Sequence, residues 1–247
     1  MDKTKISVAT IGHMPSEFDK TKMKKWKSSI FSIVGDIENY SLTNDSDGHS
    51  WEFTDTNIEQ LLPEIFSGSF LIAIVNVPLE LNWYSRRLSK NRVVFTFHEI
   101  KEILNHFNIP LENALFRLLY AYTFLYKRSG EKIPLNEDST NFTHDETRGC
   151  LFDMNGIKTD IVYSLHKPII CPDCVERLRK EKISNETIEK AQKEILGIKK
   201  PLFFRIISFV KVHPIWSMLI SAITAVVLGA IGSYIATVIY EVSKNTV

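Results

Sequence analysis

The run PIWSMLISAITAVVLGAIGSYIATVIY, residues 214 to 240, contains no charged residue. About 20 apolar residues cross the hydrocarbon core of a bilayer as a helix. A helix this long without a polar face has no solvated side to present on a soluble domain. The run therefore predicts one transmembrane helix, and the remainder of the chain must build its core without it. Trp216 near one end and Tyr234 and Tyr240 towards the other suit the two interfaces. Lys199, Lys200, Arg205 and Lys211 precede the run and only Lys244 follows it. The positive-inside rule then expects residues 1–213 in the cytoplasm, on a single-pass, tail-anchored protein of the cytoplasmic (inner) membrane. The start, MDKTKISVATIG, lacks the basic-then-apolar pattern of a signal peptide, which agrees with that placement.

Inside the run, Ser217, Ser221, Ala225, Gly229, Ser233 and Thr237 recur every four residues. Small residues at this spacing let two helices approach closely, so the expected partners are the membrane and a second copy of the chain, in a homo-oligomer. Ahead of it, PLFFRIISFVKVH alternates apolar stretches with Arg205 and Lys211, as an interfacial helix or as the first turns of a longer one; Pro214 marks a break or kink. The expected organisation is a cytosolic α/β zinc-binding domain over 1–183, a linker and juxtamembrane amphipathic helices over 184–213, and the membrane helix over 214–240.

The part before the run has the makings of a core: the chain is 44% apolar and 24% charged. Thirty basic against 29 acidic residues leave a net charge of +1, which gives no electrostatic case for nucleic acid. KISVATI (5–11) predicts a strand. Ser16 is expected to cap a helix reaching about Val34, with Lys20, Lys22, Lys24, Lys25 and Lys27 on its solvated side; a lipid- or phosphate-binding patch is the other reading. SLTNDSDGHSWEF predicts a hairpin turning at NDSDG, and NIEQLLPEIF a short helix. SFLIAIVNVP (69–78) reads as a central strand buried on both faces, and NRVVFTF as another. Thr96 and Glu99 have capping-box spacing ahead of a helix with Ile100, Ile103, Leu104 and Phe107 on its buried stripe. His98 and Glu102 form only H-E-x-x-E, without the second histidine of a zinc protease. PLENALFRLLYAYTFLYKR (110–128) predicts a core helix and SGEKIPLNEDST a polar loop. Strands and helices alternate, so the fold class expected is α/β, or α+β, with helices covering a sheet. Neither G-x-G-x-x-G nor G-x-x-x-x-G-K-[ST] occurs.

PLELNWYSRR (78–87) places Trp83, Tyr84, Arg86 and Arg87 in a loop after the central strand. Ligands bind at such strand ends, and aromatic rings beside arginines suit a nucleotide or an anionic protein partner; ordinary loop packing is the alternative.

All three cysteines lie between 150 and 174, in HDETRGCLFDMNGIKTDIVYSLHKPIICPDCVERL, with two of the seven histidines. An odd, clustered set argues against a disulfide framework and for a metal. Cys171-Pro172-Asp173-Cys174, between an apolar strand ending in KPII and a charged helix, has the form of a zinc knuckle. Cys150 is the third ligand and His144 the best fourth, with His166, Asp145 and Asp153 as alternatives. Three cysteines and one histidine close a tetrahedron, which makes the Zn2+ structural. The competing catalytic reading uses His144-Asp145-Glu146 as the H-x-E of a zinc deaminase, but Ile170 stands where that motif has proline and Cys150 is left over.

His144, Cys150, Met154, Cys171, Pro172 and Cys174 resemble the cysteine-rich zinc tail of the archaemetzincin metallopeptidases over about 35 residues. That family's H-E-x-x-H-x-x-G-x-x-H would require histidines at 134 and 138, where Pro134 and Asp138 stand, and the cysteine after its last histidine is Asp145 here. The resemblance implies a degenerate protease-like domain that keeps only the structural zinc. The function expected from the whole is a membrane-anchored, zinc-binding cytosolic sensor or effector that self-associates through its tail, a layout analogous to small bacterial effectors of stress or phage defence. The alternatives are a membrane-tethered zinc hydrolase and a nucleotide-binding module; no catalytic residue is nominated.

Overall fold

The computed structural model describes residues 2–138 and 141–244. The end of the loop at 139–140 and the short tail after 244 lie outside the described residues. The chain forms two compact units, Met1–Lys200 and Pro201–Val247.

The first unit is built on one sheet of six strands: β1 (Thr4–Ile11), β2 (Phe31–Ile33), β3 (Glu38–Tyr40), β4 (Phe70–Val75), β5 (Ser85–Leu88) and β6 (Arg92–Thr96). The order is β2-β1-β4-β6-β5, with β3 also pairing β1. Every pairing is parallel except β5 on β6. Parallel strands need both faces covered, and β4 is buried at every position. Alternate residues serve the two sides. Ile6, Val8, Phe70, Ile72, Ile74, Val93 and Phe95 join the larger core. Ala9, Ile11, Leu71, Ala73, Val75 and Val94 face the smaller one, shared with Ile58 of α2 (Asp55–Leu61).

The larger core is filled by α4 (Leu111–Arg128), buried from Leu111 through Tyr126, mostly apolar but with Glu112, Asn113, Arg117 and Thr123 buried as well. Around it lie α1 (Lys20–Lys25), α3 (Ile100–His106), α5 (Pro172–Lys180) and α6 (Asn185–Ile195). The mixed α/β class is the one the sequence predicts.

Several local expectations give way to tertiary contacts. The helix expected to reach Val34 is only α1. Asp19, not Ser16, caps it, accepting from Thr21 and Lys22 N–H groups. It ends at Trp26, whose ring stacks on Phe116 at 4.1 Å, and the aromatic and β-branched FSI then joins β1 as a parallel strand. The expected hairpin is absent: Asp47 accepts from Thr54 N–H (3.0 Å) and Thr54 O–H (2.7 Å), so the turn residues brace the start of α2 instead. Thr96 and Glu99 make no capping box. Thr96 ends β6, donating to the Val77 carbonyl and accepting from His98 N–H, while Glu99 pairs with Lys158 at 2.7 Å. Arg86 and Arg87 sit on β5 rather than in a loop.

α6 was expected in a linker beginning at 184, yet it lies inside the first unit. Its Ile188, Ala191 and Ile195 are fully buried. Its Glu194 accepts from Ser28 Oγ (2.6 Å), Ser29 N (2.7 Å), Ser29 Oγ (2.5 Å) and Tyr120 Oη (2.7 Å). Burial raises the Glu194 carboxyl, but the hydrogen bonds outweigh it and hold the group below the ordinary carboxylate range.

The second unit contains α7 (Leu202–Val212) and α8 (Pro214–Lys244), interrupted at His213 (φ −128°, ψ 62°). Proline suits the first position of α8 because that N–H needs no partner within the helix. Over Pro214–Val242 α8 is long and apolar enough to cross a membrane. Ser217, Thr224 and Thr237 donate their hydroxyls to carbonyls four residues back, so these polar atoms are satisfied by neighbouring backbone.

Candidate metal centre and the adjoining cavity

His144, Cys150, Cys171 and Cys174 come together with their ligand atoms all within 4.8 Å of one another. Short backbone ladders set them there. His144 N–H donates to Phe152 O and Met154 N–H to His144 O. Leu151 N–H donates to Ile169 O and Ile169 N–H to Gly149 O. The KPII segment is thus no full strand; it contributes an isolated bridge, Cys150 with Ile169. Gly149 turns the chain at φ +69°, where a Cβ would also meet the Tyr163 carbonyl at 3.1 Å. Cys171 is the N-cap of α5, Pro172 opens that helix, and Cys174 lies in its first turn.

The donor set fits a tetrahedral zinc ion. Bond lengths of about 2.3 Å to sulfur and 2.0–2.1 Å to nitrogen put those two atoms about 3.6 Å apart in a tetrahedron. Cys171 Sγ and His144 Nε2 are 3.6 Å apart. The three thiols are buried and none is in a disulfide. His144 Nδ1 lies 3.0 Å from the Glu146 carbonyl, which places the ring proton there and leaves Nε2 as the ligand atom. Cys150 Sγ receives N–H groups from Cys171 (3.4 Å) and Phe152 (3.5 Å). A hydrogen bond from the Cys174 thiol, reinforced by these backbone donors, pulls Cys150 down to about 4, and the same bond pushes Cys174 up. Three thiolates around a divalent ion carry one net negative charge. Arg177 Nη2 at 3.1 Å from Cys174 Sγ and Arg148 Nη1 at 3.8 Å from Cys171 Sγ oppose it.

His166 and Asp153, two of the alternatives to His144, are not in the set of four. His166 accepts from Lys200 N–H at 3.1 Å and is outside the cluster. Asp153 is a supporting group. One carboxylate oxygen accepts from Arg148 N–H (3.1 Å) and Cys150 N–H (3.0 Å), and the other lies 3.6 Å from His144 Nε2. Burial raises this carboxyl above its ordinary range, against the pull of those N–H groups.

Beside the centre lies a cavity of about 370 Å³. Trp83, Tyr84, Arg86 and Arg87 all line it, together with Arg117 and Tyr122 of α4, Asn136, Asp153 and Met154. Arg86 is committed to structure: it grips Asp55 through Nε (2.9 Å) and Nη2 (2.6 Å). Tyr84 Oη donates to Met154 O at 3.0 Å, and burial pushes the Tyr122 phenol up to about 12. Sequence reasoning missed Arg117 and Asn136. The signal for Arg117 was present, since it is the one cation between Leu111 and Tyr126. The lysines of α1 are largely engaged: Lys20 with Thr10 (2.8 Å), Lys22 with Glu112 (2.7 Å), Lys24 with Asp36.

The fold and site define an α/β unit with a closed His/Cys3 set able to hold zinc, followed by a helix long enough to span a bilayer. Among solved structures, the chain is similar to archaemetzincin from Methanopyrus kandleri, at 11% identity and a TM-score of 0.41, over 73% of this chain and 96% of that one. At those values the likeness carries no assignment of residues or activity. No protein-family model matches the chain, and no curated protein matches it.

Proposed function

We propose that the protein is a membrane-anchored, zinc-clamped cytosolic module that binds and signals rather than hydrolyses, with α8 as its bilayer anchor and its self-association surface. The closed donor set carries this reading. Four protein ligands leave no position for the water that a catalytic zinc activates. Glu146, the proton shuttle a deaminase-like mechanism would need, has an exposed side chain 3.8 Å from His144 Nδ1, on the side of the ring away from the ligand atom. The absence of charge over residues 214–240 supports the anchor, and the basic flank at Lys199, Lys200, Arg205 and Lys211 supports a cytoplasmic first unit. When bound, the ion would hold the segment 144–174 together; Arg148 and Arg177 oppose the charge of the thiolates, and Asp153 holds the backbone N–H groups of Arg148 and Cys150 in place. A sensor or effector role, in bacterial stress or phage defence, is the setting this layout suits.

Metal analysis and X-ray absorption on the purified full chain test the reading. One zinc per chain is expected, with three sulfurs at about 2.3 Å and one nitrogen at about 2.0 Å. An exchangeable oxygen ligand, together with a hydrolytic activity abolished by Glu146→Gln, would instead establish the tethered hydrolase.

A further inference from the structure

The cavity beside the metal centre contains a buried cation, Arg117, whose hydrogen bonds go to uncharged acceptors and which makes no ion pair among the described residues. Arg117, on α4, is 4% exposed. Its Nη2 donates to the Asp153 backbone carbonyl and its Nη1 to Tyr84 Oη at 3.4 Å, both uncharged acceptors. Its Nε has no hydrogen-bond partner. The Asp153 carboxylate is its anionic neighbour on the cavity wall, and that carboxylate is turned to the clamp, where it holds the N–H groups of Arg148 and Cys150. A guanidinium buried without a matched anion is costly, and such charges are ordinarily paired. Arg87 adds a second guanidinium to the same wall, anchored through its Nη2 to the carbonyls of Asn136 (3.2 Å) and Asp138 (3.3 Å). Around these cations the lining is aromatic and apolar: Trp83, Tyr84, Tyr122, Phe142 and Met154. The volume sits at the lower end of small-molecule sites, about 300–1,000 Å³.

We propose that this cavity is a binding site for a small organic phosphate of nucleotide size, its phosphoryl group held by Arg117 and Arg87 and its planar or apolar body packed on Trp83, Tyr84 and Tyr122. The guanidinium fork matches phosphate oxygens in pairs, and aromatic faces supply affinity for a planar body. The inference gives the proposed signalling module its input. It makes no use of the tail or of metal-ligand titration, so its failure and the failure of that reading are separable.

Isothermal titration on the full chain in maltoside micelles tests it, with adenosine monophosphate, a short-chain phosphatidic acid and inorganic phosphate as probes. Micromolar binding of the nucleotide or of the lipid phosphate, weakened at least tenfold by both Arg117→Lys and Arg87→Ala, is the expected result, and the stronger of the two identifies the source. Inorganic phosphate is expected to bind at least tenfold more weakly than that probe. Arg117→Lys keeps the buried charge; Arg87→Ala, on the sheet's edge strand, serves as the independent variant if the first misfolds. The proposal is overturned if no probe binds at 1 mM, if inorganic phosphate binds as tightly as either organic probe, or if Arg87→Ala, folded by its melting profile, binds undiminished.

Discussion

Arg117 donates through Nη2 to the backbone carbonyl of Asp153, and the carboxylate of that same aspartate receives the N–H groups of Arg148 and Cys150. One residue therefore forms part of the cavity wall with its main chain and braces a thiolate ligand with its side chain. Asp153→Asn should keep the shape and lose the charge, setting an amide N–H2 against the two donors in one of its orientations. Outer-shell partners of this kind are worth 10–100-fold in metal affinity. Competition against a chromophoric chelator should show zinc affinity reduced by about that factor. Unchanged affinity would mean that the carboxylate plays no part in supporting the ligands.

Gly149 offers a backbone test of the same centre. An alanine there meets both a left-handed φ of +69° and the Tyr163 carbonyl at 3.1 Å. Strain of this sort costs on the order of 1–3 kcal/mol. In a chain of this size each kcal/mol lowers the melting temperature by about 2–4 °C. Gly149→Ala should therefore melt several degrees lower with zinc bound, and Gly156→Ala, with nothing within 4 Å of its Cβ, should melt as the parent does. Differential scanning calorimetry with saturating zinc distinguishes the two.

How much of this was legible beforehand depends on whether the cause is local. β4, β6 and α4 announce themselves because a continuous apolar run permits few placements. His144, Cys150, Cys171 and Cys174 were legible because thiols are scarce and their spacing is chemical. The short α1 and strand β2 were not, because what ends the helix is Phe116, some ninety positions away, stacking on Trp26. Asp47 and Asn57 likewise read as turn and helix residues until their partners are seen: Asp47 braces Thr54, and Asn57 donates to the Asp45 carbonyl at 2.8 Å. α6 looked like linker because its apolar residues are few, yet each of Ile188, Ala191 and Ile195 is buried, and its acidic Glu194 holds donors from three distant residues.

Glu194 also predicts a pH dependence. Its carboxyl lies below its ordinary range in the folded chain, so the stability it contributes is present above the unfolded value, about 4.3, and is lost as pH falls through the lower folded value. Hydrogen bonds to a charged acceptor contribute about 1.5–3 kcal/mol each. Glu194→Gln keeps an acceptor but sets an amide N–H2 among donors, and should cost about 3 kcal/mol at pH 7. Urea denaturation of the full chain in micelles should show the gap between parent and variant shrinking below about pH 4. A gap that is constant with pH would show that the charge on Glu194 is not what matters.

The tail prediction concerns geometry as well as composition. Ser217, Ser221, Ala225, Gly229, Ser233 and Thr237 are four apart on a helix of 3.6 residues per turn, so their row is a ridge inclined about 26° to the axis, not a straight face. Two such ridges can pack only by crossing, the right-handed arrangement that small-xxx-small pairs adopt. Around Gly229 and Gly232 nothing lies within 4 Å of an added Cβ, so backbone is available for close approach. Ser217 and Thr237 already donate their hydroxyls to carbonyls four residues back, so at those two positions the proposed association would rest on van der Waals contact. Leucine at Gly229 and Ser233 would fill the crossing point without adding a polar group. Native mass spectrometry of the Gly229→Leu/Ser233→Leu chain in detergent should give monomer where the parent gives an oligomer, while the melting of the first unit stays unchanged. Leucine at Val226 and Ile235, off the ridge, should leave the oligomer intact; dispersal by that control as well would make hydrophobic bulk, not the ridge, the determinant.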